Sequence, residues 1–314
     1  MKRRYIIIIC AFLLLFLIYQ YLLIGNEENK TDKNYNNEKN DQKIKKLFSY
    51  KKNRPIKPRV IDRIEKTGFF REKILFFNCP NFQVYGYLAV PKIKSPPYPC
   101  VLQIHGLHGS KADWWRDDAF MKGNLVTKEL LSSGISVLAL DARFYRKDKN
   151  ATFTFNKKDL LILFIESIID YRKAIDYLST RHEIEMKKVG VIGYSIGGVM
   201  TFVLSAVEPR IKAAAACVTP NLSRFQICHN KRNKKLKAQL MGVNPTNSAG
   251  LIKNIPFLML MGRFDSHCTV EEANQLFELV ESSQKKIIFY NKGHFLPINY
   301  VSDAVQWFKK SLNV

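Results

Sequence analysis

The sequence predicts an α/β fold, a mostly parallel central sheet with helices on both faces, preceded by one N-terminal transmembrane helix. Two observations predict it. From about Val60 onward, short apolar runs alternate with amphipathic stretches of helical period, and such alternation implies a parallel sheet covered on both sides. Before that, Tyr5 to Ile24 runs for 20 residues without a charge. That much helix rises about 30 Å, the thickness of a bilayer's hydrocarbon core.

Residues 1–25 therefore read as a membrane anchor, with a cleaved signal sequence as the alternative. A secretory signal has a shorter apolar stretch, about 7–15 residues, and this run ends in Leu22-Leu23-Ile24-Gly25, a poor cleavage site. Lys2, Arg3 and Arg4 before the run favour a non-cytoplasmic location for the rest of the chain. Lys30, Lys33, Lys39 and Lys43 after it pull the other way. Residues 26–59 are rich in Lys, Asn, Glu and Asp and almost free of apolar residues before Leu47. Such a segment buries too little surface to offset the cost of ordering, so it reads as a polar, flexible tether. Residues 60–314 are read as the folded domain.

Within that domain, strands are predicted at Lys73–Phe77, Gln83–Val90, Cys100–His105, Ser136–Leu140, Val189–Ile192, Lys212–Val218, Phe257–Met261 and Lys286–Tyr290. The first two are joined by only a few residues, so they should pair antiparallel. Helices are predicted at Asp159–Leu178, Gly198–Ala206, Glu271–Glu281 and Asp303–Leu312. In the first of these, Leu160, Leu163, Phe164, Ile168, Tyr171, Ile175 and Leu178 fall on one helical face. The segment 219–250 is long and lacks a clear strand, and suggests a small cap.

Composition narrows the function. The 314 residues are 46% hydrophobic and 25% charged, ordinary values for a globular chain. The net charge is +23, but it is spread along the chain without a compact basic motif, so a nucleic-acid partner is not indicated. The six cysteines include no C-x-x-C pair, which argues against a zinc knuckle or a redox motif.

The sharpest motif is Gly193-Tyr194-Ser195-Ile196-Gly197, directly after the strand Val189–Ile192 and directly before a helix-like run from Gly198. A serine on so tight a strand-to-helix turn has its hydroxyl exposed, which is the context of a nucleophile elbow. A serine hydroxyl is a weak nucleophile and needs a base oriented by a third group. In this arrangement the partners follow in the order Ser, Asp or Glu, His. Asp265 comes after the strand Phe257–Met261, and His294 after the strand Lys286–Tyr290. Both stand just past the C-terminal ends of strands, where open α/β sheets place their sites. His267 is too near Asp265 in sequence to reach Ser195 while receiving that carboxylate. The backbone N–H groups of Leu107 and Ile196 are the candidate oxyanion donors, one from the loop His105-Gly106-Leu107-His108-Gly109-Ser110 and one from the residue after the serine. His105 and His108 find no third metal ligand nearby in sequence, so no metal is predicted.

These motifs together resemble the α/β-hydrolase superfamily, in particular its dienelactone-hydrolase-like and acetyl-esterase-like branch. The resemblance spans about residues 60–314 and rests on HGLHGS at 105–110, GYSIGG at 193–198, GRFD at 262–265 and GH at 293–294. Dienelactone hydrolases proper carry a cysteine nucleophile, and this chain carries Ser195. The resemblance implies hydrolysis of an ester, a thioester or an amide through an acyl-enzyme, with Ser195, Asp265 and His294 as the triad and no cofactor. The expected substrate is a small-molecule or lipid ester, and the expected membrane contact is through residues 5–24. A thioesterase, a peptidase, or a catalytically inactive membrane-tethered binding module of the same fold are the competing readings.

Three further features bear on substrate and packing. Six basic residues between Arg224 and Lys237 form a charged stretch within the suggested cap, read as a solvated face or as a surface for anionic groups. Trp114 and Trp115 suit either an acyl pocket or core packing. Asp141 and Arg143 suggest an ion pair anchoring a loop, with Asp141 as a triad acid in a variant arrangement as the alternative.

Overall fold

The computed structural model describes residues 41–51, 58–79, 82–93, 95–107, 109–143, 157–222 and 242–314. The expected membrane anchor, the start of the tether and the basic stretch 224–237 lie outside the described residues. Among the described residues, no helix is long and apolar enough to cross a membrane.

Nine strands form one sheet: β1 (Arg59–Lys66), β2 (Phe69–Cys79), β3 (Phe82–Pro91), β4 (Tyr98–Ile104), β5 (Ser136–Leu140), β6 (Ile184–Tyr194), β7 (Ile211–Cys217), β8 (Phe257–Gly262) and β9 (Lys285–Tyr290). Their spatial order is β1-β2-β3-β5-β4-β6-β7-β8-β9. From β5 to β9 every neighbouring pair is parallel, whereas β1, β2 and β3 run antiparallel to their neighbours at one edge. The predicted antiparallel pairing of the first two expected strands is the β2–β3 pair. β1 escaped the sequence reading because its side chains are almost all exposed and carry no apolar alternation.

The main helices are α1 (residues 41–47), α2 (Gly123–Ser132), α3 (Lys157–Leu178), α4 (Ile196–Val207), α5 (Val270–Glu278) and α6 (Tyr300–Ser311). Each face of the sheet buries its own apolar layer. Alternation along β4 shows how: Cys100, Leu102 and Ile104 enter the layer that holds α3, α4 and α5, while Val101 enters the layer that holds α2 and α6. α2, a helix absent from the sequence reading, brings Val126 and Leu130 to that second layer. Its Thr127 accepts a hydrogen bond at 2.8 Å from the buried Gln103 of β4.

One stretch assigned to the tether is folded. Ile44 and Phe48 are buried in the first layer. Arg172 of α3 donates to the main-chain oxygen of Phe48 at 2.7 Å, and the Tyr50 hydroxyl donates to Asp176 at 2.7 Å. The polar composition hid this because two apolar side chains, with Arg172 and Asp176 as partners on α3, suffice to dock a short helix. The folded unit therefore reaches back at least to residue 41.

Candidate active site

β6 delivers the chain into a single abrupt turn. Ser195 has φ 59° and ψ −120°, and α4 begins at the next residue. A non-glycine residue at positive φ is strained and persists only where its surroundings fix it. Here the Ser195 amide donates to the Cys217 oxygen of β7 at 2.9 Å, and its own oxygen accepts from Gly198 N at 2.7 Å. The flanking glycines are required sterically. A Cβ on Gly193 would stand 2.0 Å from the Gly197 oxygen, and one on Gly197 would stand 2.4 Å from the Ile104 oxygen. The elbow is thus wedged against β4.

The turn presents Ser195 to two loops at the same end of the sheet. His294 Nε2 lies 2.9 Å from Ser195 Oγ, and His294 Nδ1 lies 2.8 Å from Asp265 Oδ2. Asp265 is buried, while His294 is partly exposed. The other carboxylate oxygen of Asp265 accepts the His267 main-chain N–H at 2.9 Å and lies 3.2 Å from His267 Nδ1. Burial alone would raise the Asp265 carboxyl, but the hydrogen bonds with His267 and His294 outweigh it and hold the group well below the usual carboxylate range. The Asp265 loop runs on into α5, whose start is fixed by a capping box. Thr269 accepts from Glu272 N, and Glu272 accepts from Thr269 N.

Ile196 is the first residue of α4, so its amide is among those with no intrahelical acceptor. Leu107 lies in a turn closed by Gly109 N donating to the Gly106 oxygen at 3.1 Å. This turn abuts the serine: a Cβ built on Gly106 would be 3.5 Å from Ser195 Cβ. The His105 ring is buried beneath the turn. Its Nε2 accepts from Ala142 N at 2.9 Å, which leaves the proton on Nδ1 to face the Gly106 oxygen at 2.7 Å. Burial lowers the pKa of this imidazole. His105 thus holds the loop by hydrogen bonds, and His108 lies outside the described residues.

One expectation changes. Asp141 anchors a loop, but its partner is Lys111, with Nζ at 2.6 Å and the main-chain N at 2.9 Å. Arg143 turns instead to α3, gripping Asp170 with two nitrogens and Glu166 with a third. Planar guanidinium geometry favours that bidentate grip. Of the two tryptophans, Trp114 is fully buried in the second apolar layer, and Trp115 packs against Phe69 and Tyr87.

Two neighbours of the site carried no sequence signal. Tyr194, the variable position of the serine motif, donates to the His294 oxygen at 2.8 Å. Phe120 stacks on Phe295 with ring centroids 4.8 Å apart, and both are exposed, as are Phe264 beside Asp265 and Ile298. Phe120 lies edge-on to Tyr194 and Phe295 lies beside His294, so these two rings give the site an apolar rim.

The family model for acetyl xylan esterase (AXE1) matches residues 68–237. The chain belongs to the acetyl xylan esterase (AXE1) family. A second model, the prolyl oligopeptidase family, matches residues 165–314. "Putative hydrolase YtaP" of Bacillus subtilis (strain 168) is 27% identical over 184 residues, which is 56% of this chain and 61% of that protein. Among solved structures, acetyl xylan esterase 1 of Thermoanaerobacterium sp. JW/SL YS485 superposes with a TM-score of 0.68 at 18% identity, over 87% of this chain and 93% of that one. The acetyl xylan esterase of Paenibacillus sp. R4 gives 0.66 at 16% identity, over 94% and 98%. At these identities the structures speak for the fold, which is that of the α/β-hydrolase superfamily, as the motifs led one to expect.

Proposed function

We propose that this AXE1-family chain is a serine hydrolase that cleaves carboxylic esters through an acyl-enzyme intermediate. The observation that carries the reading is the unbroken line Ser195 Oγ–His294 Nε2 at 2.9 Å and His294 Nδ1–Asp265 Oδ2 at 2.8 Å, set on a strained elbow. In this mechanism His294 takes the Ser195 proton as Oγ attacks the ester carbonyl. Asp265 stays ionised, holds the Nδ1–H tautomer and stabilises the imidazolium. The N–H groups of Ile196 and Leu107 donate to the oxyanion. The imidazolium then gives its proton to the departing alkoxide oxygen. In the second half, His294 takes a proton from water as it attacks the acyl group on Ser195, then returns that proton to Ser195 Oγ as the acyl–Oγ bond breaks and the acid leaves.

The family and the name of the structural relatives favour a short acyl group, acetyl first, on a hydroxyl-bearing leaving group. Phe120 and Phe295 beside His294 suit the flat or apolar face of that leaving group. Residues 5–24 are proposed to tether the enzyme to a membrane with its domain on the non-cytoplasmic side. A peptidase is the second reading, favoured by the match of residues 165–314 to the prolyl oligopeptidase model.

The test is fluorophosphonate labelling of the full chain beside Ser195→Ala and His294→Ala. It is followed by p-nitrophenyl esters of graded acyl length and a prolyl anilide. Labelling lost in both variants with fastest turnover on acetate supports the proposal. A folded wild-type chain that takes no label sinks it in favour of a binding module, and turnover of the anilide above the esters favours the peptidase.

A further inference from the structure

We propose that Asp265, His267 and His294 form a site for a borderline-soft divalent cation of the Zn²⁺ type, and that its occupancy switches off Ser195. The consequence for activity rests on the hydrolase reading; the site does not. Zn²⁺ takes imidazole nitrogens and carboxylate oxygens at about 2.0–2.2 Å, so ligands in a tetrahedral shell stand about 3.3 Å apart. Here His294 Nδ1 is 2.8 Å from one Asp265 oxygen, and His267 Nδ1 is 3.2 Å from the other. One ligand atom from each residue lies within 4.8 Å of those of the other two. The two imidazole rings are tilted 44° to each other with centroids 4.5 Å apart. Closing the remaining gap between the two imidazole nitrogens would bring this set around one ion and leave a fourth position for water. The imidazoles are reachable, with His267 and His294 side chains 22% and 17% exposed over a fully buried carboxylate.

Occupancy has a defined chemical result. In the resting pair, the neutral His294 ring carries its proton on Nδ1, toward Asp265, and offers the Nε2 lone pair to Ser195. A cation bound at Nδ1 takes the lone pair of that nitrogen, and the proton moves to Nε2. Nε2 then points an N–H at Ser195 Oγ and cannot accept the serine proton. No bond to carbon forms or breaks, the proton count of the ring is unchanged, and removing the ion restores the base. His267 is what makes this a site: without it, Asp265 and His294 supply only two ligands.

The experiment has a binding arm and an activity arm. Zn²⁺ binding is measured by competition with a chromophoric chelator on the Ser195→Ala chain, with and without His267→Asn, which keeps a hydrogen-bond donor toward Asp265 but no imidazole. Inhibition of p-nitrophenyl acetate hydrolysis by Zn²⁺ is measured on the wild-type chain and on His267→Asn, with Mg²⁺ as the hard-cation control. We expect one Zn²⁺ per chain with micromolar affinity, inhibition that tracks occupancy and reverses with EDTA, no effect of Mg²⁺, and at least a tenfold loss of both affinity and sensitivity in His267→Asn. Absence of stoichiometric binding, or equal Zn²⁺ sensitivity in both chains, overturns the proposal. Should His267→Asn fold poorly, His267→Gln takes its place. A chain that binds Zn²⁺ through His267 yet hydrolyses no ester overturns the inhibitory role and the functional reading, and the site stands.

Discussion

The Tyr194 hydroxyl donates to the main-chain oxygen of His294 at 2.8 Å and accepts from the Leu296 amide at 3.0 Å. The residue before the serine thus ties the elbow to the loop that carries His294. Tyr194→Phe keeps the ring and removes both bonds, leaving a buried amide without that acceptor. The expected cost is about 1–3 kcal/mol of stability. We also expect roughly a tenfold drop in kcat with little change in KM, because the Ser195–His294 distance is no longer held. Steady-state kinetics on p-nitrophenyl acetate and urea unfolding check this; an unchanged kcat would remove Tyr194 from the positioning of His294.

Ser195 itself carries a measurable strain. At φ 59° and ψ −120°, a Cβ is disfavoured whatever the rest of the side chain is. Ser195→Ala keeps that Cβ and Ser195→Gly removes it. Both variants should be inactive, and the glycine variant should be more stable than the alanine variant by about 1 kcal/mol, offset in part by its more flexible unfolded chain. For a domain of this size that is about 2–4 °C in Tm. Equal melting temperatures would mean that the turn relaxes once the hydroxyl is gone.

What the sequence made legible here follows from how each feature is encoded. Ser195, Asp265 and His294 were readable because each follows a strongly apolar strand, and the elbow demands glycine at 193 and 197, where a Cβ would collide with main chain. β1 was not readable, since a strand exposed at a sheet edge needs no apolar alternation. The Lys111–Asp141 pair was hidden because it joins positions 30 residues apart, whereas Asp141 and Arg143 merely look paired in sequence. In the sequence, His267 stands out only as a rival to His294. Its bond to the far oxygen of Asp265 depends on the turn between them, which local sequence does not specify.

Phe48 tests the folded status of the segment around it. It is fully buried in the layer between sheet and helices, and its main-chain oxygen is held by Arg172. Phe48→Ala should cost about 3–5 kcal/mol, the usual price of emptying a buried aromatic site. A chain starting at residue 58 should be at least as destabilised. Urea unfolding of the two forms beside wild type decides; unchanged midpoints would return residues 41–51 to the tether.

Acid stability should depend on Glu208, the buried residue that closes α4. Its carboxylate takes two charged hydrogen bonds from Arg210 at 2.7 Å each and one from Arg172 at 3.2 Å. Arg210 and the α3 residue Asp176 are joined at 2.6 Å, and Asp176 holds Tyr50. Burial pushes the Glu208 carboxyl up, yet the bonds and charge of Arg210, with Arg172, outweigh it and hold the group below its ordinary value of 4.5. With the folded-state value below the unfolded one, the contribution to stability is complete above about pH 4.5 and is lost as pH falls through the folded value. Glu208→Gln should therefore lower stability at pH 7 by about 3–5 kcal/mol, since one partner of a buried ion pair is removed. Between about pH 5 and pH 3 the variant should lose less further stability than wild type. Unfolding free energies at pH 7, 5, 4 and 3 for both chains give the comparison. Parallel curves would mean that the acid sensitivity lies with other carboxylates.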